Sequence, residues 1–192
     1  MAEDAIALIT KDHREMERLF EQLQSRKGDR ADMVQQVSSM LLAHSRAEEE
    51  HVYPAIAQAA PAEKGEVHHG KEEHEQAERI LRRLQAAKVD SDEFESTLTE
   101  LVEAVGHHVE EEEGKILPAL RNAVGSDRLE ELGQAFKRGR QQELEKQGAG
   151  ASSGAAADAT REELYEKAKA QDVPGRSKMN KQELAEAVED ET

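Results

Sequence analysis

The chain has 192 residues, of which 36% are hydrophobic, 35% charged and only 3% aromatic, and 42 acids against 26 bases give a formal net charge of −16. With no cysteine, a disulfide framework, an iron–sulfur cluster, a thiolate zinc site and a cysteine nucleophile are all excluded, and a reducing, cytoplasmic compartment is expected. The negative charge repels nucleic-acid phosphates, no run of about 18 apolar residues is present to span a membrane, and the acidic start Met1-Ala2-Glu3-Asp4 predicts no targeting peptide.

Proline and glycine are sparse up to residue 146, and Glu, Leu, Ala, Gln, Lys and Arg dominate. That composition predicts an all-α domain without strands. The first helix is expected over 4–24 and the second over 30–60. Pro61 and Gly65 break the chain there. The third helix is expected over 66–87, the fourth over 92–124 and a short fifth over 127–146. Pro54 and Pro118 fall inside the second and fourth, which should kink or restart at those points. From Gln147 to Asp158 the sequence turns small, uncharged and Gly-rich, and is expected to be a flexible linker. Residues 159–192 are expected to form a small helix-turn-helix unit. Thr160-Arg161-Glu162-Glu163 reads as a capping box, Asp172 to Asn180 as a turn, and a second helix follows from Lys181.

The first part repeats itself. The twelve residues from His13 align with the twelve from His74, five of them identical. Further on, His44 and Glu48 align with His108 and Glu112, and a proline stands ten residues after each second-helix histidine. A helix pair used twice predicts an up-down-up-down four-helix bundle.

What repeats is chemical as well as apolar. At about 100° per residue, positions four apart share one helical face. His44 and Glu48 therefore project together, as do His108 and Glu112. Leu41 and Val105, one turn earlier, mark that face as core-facing. Four histidines and two glutamates would thus meet in a medium of low dielectric, where unpaired carboxylates cost several kcal/mol each. A pair of metal ions resolves the conflict, each taking two histidines with the glutamates bridging. Imidazole with carboxylate suits iron, manganese or zinc.

The pattern His … His-x-x-x-Glu … His … His-x-x-x-Glu, with a proline after each second-helix motif, resembles the hemerythrin-like family, also called the HHE cation-binding domain. The resemblance covers roughly residues 1–146 and places His13, His44, Glu48, His74, His108 and Glu112 on the family's ligand positions. It implies a non-haem di-iron centre bridged by both glutamates and an oxo or hydroxo group. It also implies binding of oxygen or nitric oxide, or reaction with peroxide.

There are departures from the oxygen carriers, which have a His-x-x-x-His on the third helix where this chain has Gly70 before His74. They also bridge with an aspartate five residues after the last histidine, where Glu112 stands at four. An open coordination position or an added carboxylate ligand follows. Glu49 and Glu113 are candidates as outer or alternative ligands, and His51, seven residues after His44, as a fifth ligand. His68, His69 and His107 read as surface residues.

The C-terminal unit resembles the N-terminal helical motif of the terminator Rho and, loosely, the SAP motif, implying a nucleic-acid or protein partner. Three functions are therefore expected to compete. They are a di-iron protein for oxygen, nitric-oxide or redox sensing and stress response, a di-iron enzyme that is catalase-like or handles nitric oxide, and a scaffold acting through the C-terminal motif.

Overall fold

The computed structural model describes residues 3–26 and 28–158, together with Tyr165, Ala168, Lys169 and Leu184. Among the described residues every regular element is helical. Helix α1 spans Ala5–Gln24 and α2 Arg30–Ala47. A π-helical turn, Glu48–Val52, leads into α3, Tyr53–Ala59. After a short 3₁₀ turn at Pro61–Glu63, α4 covers Lys64–Ala86. Helix α5 covers Asp92–Glu111, a second π-helical turn covers Glu112–Ile116, α6 covers Leu117–Ala123 and α7 covers Ser126–Asp158.

The starts of the helices follow from their caps. The Asp4 carboxylate accepts from the Ala7 N–H at 2.8 Å, Asp29 from Ala31 N–H at 2.9 Å, and Ser91 Oγ from Phe94 N–H at 3.2 Å. Each satisfies a donor that the first helical turn leaves free. The two prolines act as expected, each standing in the first turn of a restarted helix. Tyr53 N–H donates to Glu48 O and Leu117 N–H to Glu112 O, so each repeat holds one extra residue in the turn that follows its glutamate.

Four helical arms, α1, α2 with α3, α4, and α5 with α6, pack as a ring in which α1 touches α2, α2 touches α4, α4 touches α5, and α5 touches α1. Two apolar clusters show that consecutive arms run antiparallel. One gathers the C-terminal half of α1 (Met16, Leu23), the start of α2 (Val34, Val37), the end of α4 (Leu81, Leu84) and the start of α5 (Phe94, Leu98). The other gathers Ile6 and Ile9 of α1, Tyr53 and Ile56 of α3, Val67 of α4, Leu117 and Leu120 of α6, and Leu132 and Phe136 of α7. His13, His44, Glu48, His74, His108 and Glu112 are all buried, on helix segments that lie between these two clusters.

Helix α7 comes close to the start of α1 at Gly133, where an added Cβ would stand 2.6 Å from the Glu3 carbonyl oxygen and 2.9 Å from the Ala5 nitrogen. These are backbone atoms that cannot rotate away. Gly133→Ala gains up to about 1 kcal/mol of helix propensity and loses about 1–3 kcal/mol to overpacking. Overpacking should win, lowering the melting temperature by a few degrees, and an unchanged melt would show that this contact yields.

The linker expected over 147–158 is instead the C-terminal stretch of α7. The alanines there (Ala149, Ala151, Ala155, Ala156, Ala157) are strong helix formers, and they extend a helix that the glycines alone would interrupt. The chain divides into two compact units, Met1–Leu144 and Glu145–Thr192. The helix-turn-helix expected over 159–192 lies outside the described residues except at four positions. Two of these, Ala168 and Leu184, are fully buried.

Candidate metal centre

Within the bundle the repeat becomes one buried cluster. The His13 Nε2 lies 3.3 Å from a Glu112 oxygen and His44 Nε2 3.3 Å from a Glu48 oxygen. His74 Nε2 lies 3.4 Å from Glu48, and His108 Nε2 lies 4.0 Å from Glu112. Each glutamate thus faces one histidine from each half of the repeat. Ligand atoms of His13, His44, Glu48 and Glu112 lie within 4.8 Å of one another, as do those of Glu48, His74 and His108. Two neighbouring groups that could hold a cation thus share Glu48.

The donor set fits a cation for a second reason. Both oxygens of Glu48, both oxygens of Glu112, and the Nε2 atoms of His13 and His44 are buried without a hydrogen-bond partner. Buried polar atoms are nearly always satisfied. Six orphans aimed into one space, four of them carboxylate oxygens, are what a cation would satisfy. His74 and His108 turn their Nε2 atoms toward each other at 3.0 Å, two imidazole nitrogens converging on one point.

Electrostatics shows the strain of the metal-free state. Burial opposes a charge on His44, yet the carboxylate of Glu48, with Asp12 and Glu112 added, raises its pKa to about 10. Burial likewise opposes a charge on His74, and Glu48, Glu49 and Glu112 outweigh it, raising the value to about 9. For Glu48 burial pushes upward, but His44 and His74 prevail and hold the carboxyl well below its ordinary range. Without a metal the cluster compensates its buried anions by keeping protons on imidazoles.

Each ligand-position histidine also has a carboxylate on its far nitrogen. His13 Nδ1 meets Glu113 at 2.8 Å, His44 Nδ1 meets Asp12 at 3.5 Å, His74 Nδ1 meets Glu49 at 3.1 Å, and His108 Nδ1 meets Glu73 at 2.9 Å. Such partners fix ring orientation and leave Nε2 as the ligand atom. Cations anchor three of the four from outside: Arg14 on Glu113, Arg46 on Glu49 and Arg140 on Asp12.

Glu49 and Glu113 are therefore outer partners in this geometry, not members of the inner cluster. Asp12 and Glu73 were missed from the sequence. Their signal was the acid directly before the repeated histidine, in Asp12-His13 and Glu73-His74, one residue outside the aligned stretch.

His51 stands elsewhere. The π-helical turn over Glu48–Val52 breaks the seven-residue phase that would have kept His51 under His44. Its ring packs against α7 at Gly139, where an added Cβ would meet Nε2 at 2.7 Å. It belongs to neither buried cluster. His68, His69 and His107 are exposed, as expected. His69 forms a looser, partly exposed group with Glu73 and Glu111.

Tyr53 is the unforeseen member. It is fully buried, and its ring lies parallel to that of His74 with centroids 5.6 Å apart. Burial, followed by the carboxylates of Glu112, Glu48 and Glu49, pushes its phenol well above the ordinary value. A mostly apolar cavity of about 210 Å³ between α1 and α5, lined by Met16, Phe20, Val102, Val105 and Val109 together with Glu17, Glu21 and Gln24, reaches His13.

Residues 4–120, more than half of the chain and including all six inner residues, match the model of the hemerythrin HHE cation binding domain. A curated relative from Nostoc sp., named a DNA nickase, is 29% identical over 132 residues, which cover 68% of this chain but 37% of that protein. The chain thus spans little more than a third of that relative's length. A crystal structure of a hemerythrin HHE cation binding domain-containing protein from Mycobacterium kansasii superposes with a TM-score of 0.65, covering 81% of this chain and 93% of the other at 19% identity. That likeness is one of fold. The matched family residues stop at 120 and do not reach the C-terminal motif.

Proposed function

The chain belongs to the hemerythrin HHE cation binding family, and from that premise we propose that it holds two iron ions and uses them to sense or respond to oxygen, nitric oxide or redox state in the cytoplasm. His13 and His44 would hold one iron and His74 and His108 the other, with Glu48 and Glu112 the carboxylates shared between them. The observation that carries this reading is that each glutamate faces one histidine from each half, with its oxygens buried and otherwise unpaired. Iron so held supplies one-electron chemistry and Lewis acidity toward a small ligand. The chain's own residues bind and orient it: Asp12, Glu49, Glu73 and Glu113 hold the imidazoles in register. The cavity of about 210 Å³ at His13 is small and mostly apolar, which supports a small molecule such as oxygen or nitric oxide over a large organic substrate.

Protein loaded with excess ferrous iron in air should contain two irons per chain and show the near-ultraviolet absorption of a bridged ferric pair. One metal or none would end this reading. Loading with manganese or zinc in competition settles metal identity, and peroxide and nitric-oxide turnover assays separate a sensor from an enzyme.

A nucleic-acid partner is a second reading, supported by the name of the Nostoc relative and by the C-terminal resemblance. The acidic bundle opposes such binding. Removal of residues after 146 should leave both irons in place, since every ligand lies before residue 113. It should also abolish any binding of short DNA or RNA. Equal binding by both forms would overturn the assignment to the tail.

A further inference from the structure

The two halves of the repeat are not identical around the cluster, and the difference concerns one polar atom. Tyr53 aligns with Leu117, each being the residue whose N–H bonds back to the bridging-position glutamate across the π-helical turn. On the helix opposite, Gly70 aligns with Ile9, each four residues before the repeated histidine. At one such pair of positions, on α1 and α6, stand Ile9 and Leu117, and both are buried in the same apolar cluster. At the equivalent pair of positions, on α4 and α3, stand a glycine and a tyrosine, Gly70 and Tyr53. The exchange is complementary in volume: a Cβ on Gly70 would stand 2.8 Å from Tyr53 Oη and 3.3 Å from Cζ. The glycine is what lets the phenol lie there.

Apolar filling needs no hydroxyl, as Leu117 shows. Yet the Tyr53 hydroxyl is buried with no hydrogen-bond partner, in the field of Glu112 and Glu48 and on a ring stacked against His74. A buried phenol O–H that makes no well-formed hydrogen bond beside a site for metals, with the Glu112 carboxylate near it, is a donor available to an incoming acceptor. We propose that Tyr53 donates a hydrogen bond to the exogenous oxygen-containing or anionic ligand held at the metal pair, on the side of His74. The inference rests on the di-iron reading above.

The probe is azide, titrated optically against the iron-loaded full-length chain, with iron content and melting temperature measured on the same samples. Tyr53→Phe keeps the ring and its stacking on His74 and removes only the donor. It should retain two irons and the wild-type melt but bind azide about tenfold more weakly, the loss of one charge-assisted hydrogen bond. Gly70→Ala, which forces the hydroxyl aside without deleting it, should weaken azide in the same direction.

Unchanged azide affinity in Tyr53→Phe would overturn the proposal. So would loss of iron, which would make Tyr53 a support for Glu112. Loss of a visible phenolate-to-iron absorption would also overturn it, because Tyr53 would then be a direct ligand. A wild-type chain that takes up no iron at all would end the di-iron reading and this inference together, an outcome distinct from the other three.

Discussion

Glu48→Ala is expected to reduce the iron content from two per chain to none. Glu48 is the one carboxylate common to both clusters, facing His44 at 3.3 Å and His74 at 3.4 Å. On the two-iron proposal its removal would leave each iron with two imidazoles and only Glu112 shared between them, too few anionic ligands to hold two multiply charged ions in a dry core. The consequence for stability is linkage. Metal that binds only the folded chain at a hundred times its dissociation constant adds about 2.7 kcal/mol, so the wild type should melt several degrees higher with iron than without.

In Glu48→Ala that difference should vanish, whatever the substitution does to the metal-free melt. Changes at the outer partners should be milder. Asp12→Asn leaves every inner ligand in place and disturbs only the pairing of Asp12 with His44 Nδ1 and Arg140. Affinity should fall by about 10–100-fold without loss of the site. Metal analysis after gel filtration decides both, and two irons retained in Glu48→Ala would show that the bridge lies elsewhere.

The second large effect is a reversal of pH dependence on metal loading. In the metal-free chain His44 and His74 have pKa values raised to about 10 and about 9, against about 6.5 unfolded. Folding therefore takes up protons, and the stability so gained is fully present below pH 6.5. It is lost as pH rises toward 9 and then 10, by up to about 1.4 kcal/mol per pH unit for each histidine. Glu48 acts in the opposite direction: its depressed folded value contributes stability above its unfolded pKa, lost as pH falls through the folded one. Metal-free protein should accordingly be most stable between about pH 4.5 and 6.5 and weaken steadily above.

Iron requires the same imidazoles without their protons. Raising the pH over this interval should therefore tighten iron and release protons on loading. Denaturant titrations of both forms at pH 6.5, 7.5 and 8.5 should show the gap between them widening. A metal-free chain equally stable at all three would mean that His44 and His74 are neutral in the fold.

The inner cluster was legible in the sequence because its information is local. A helix carries a fixed rotation per residue, so His-x-x-x-Glu puts both groups on one face before any packing is known. The repetition of that motif after Pro61 placed the second half opposite the first. Tertiary structure alone decided the outer carboxylates. His44 is held by Asp12 of α1 and His74 by Glu49 beyond α2, and which acid reaches which ring depends on how neighbouring helices are rotated about their axes. Periodicity within one helix does not encode that rotation.

The π-helical turns are a second case. By regular helix geometry His51 lies under His44, and Tyr53, nine residues on, lies half a turn away from it. One extra residue after Glu48 reverses the two, sending His51 toward Gly139 and Tyr53 into the cluster. The prolines announced an interruption at those positions, but its phase was set only when α3 and α6 packed their apolar faces against α1 and α7.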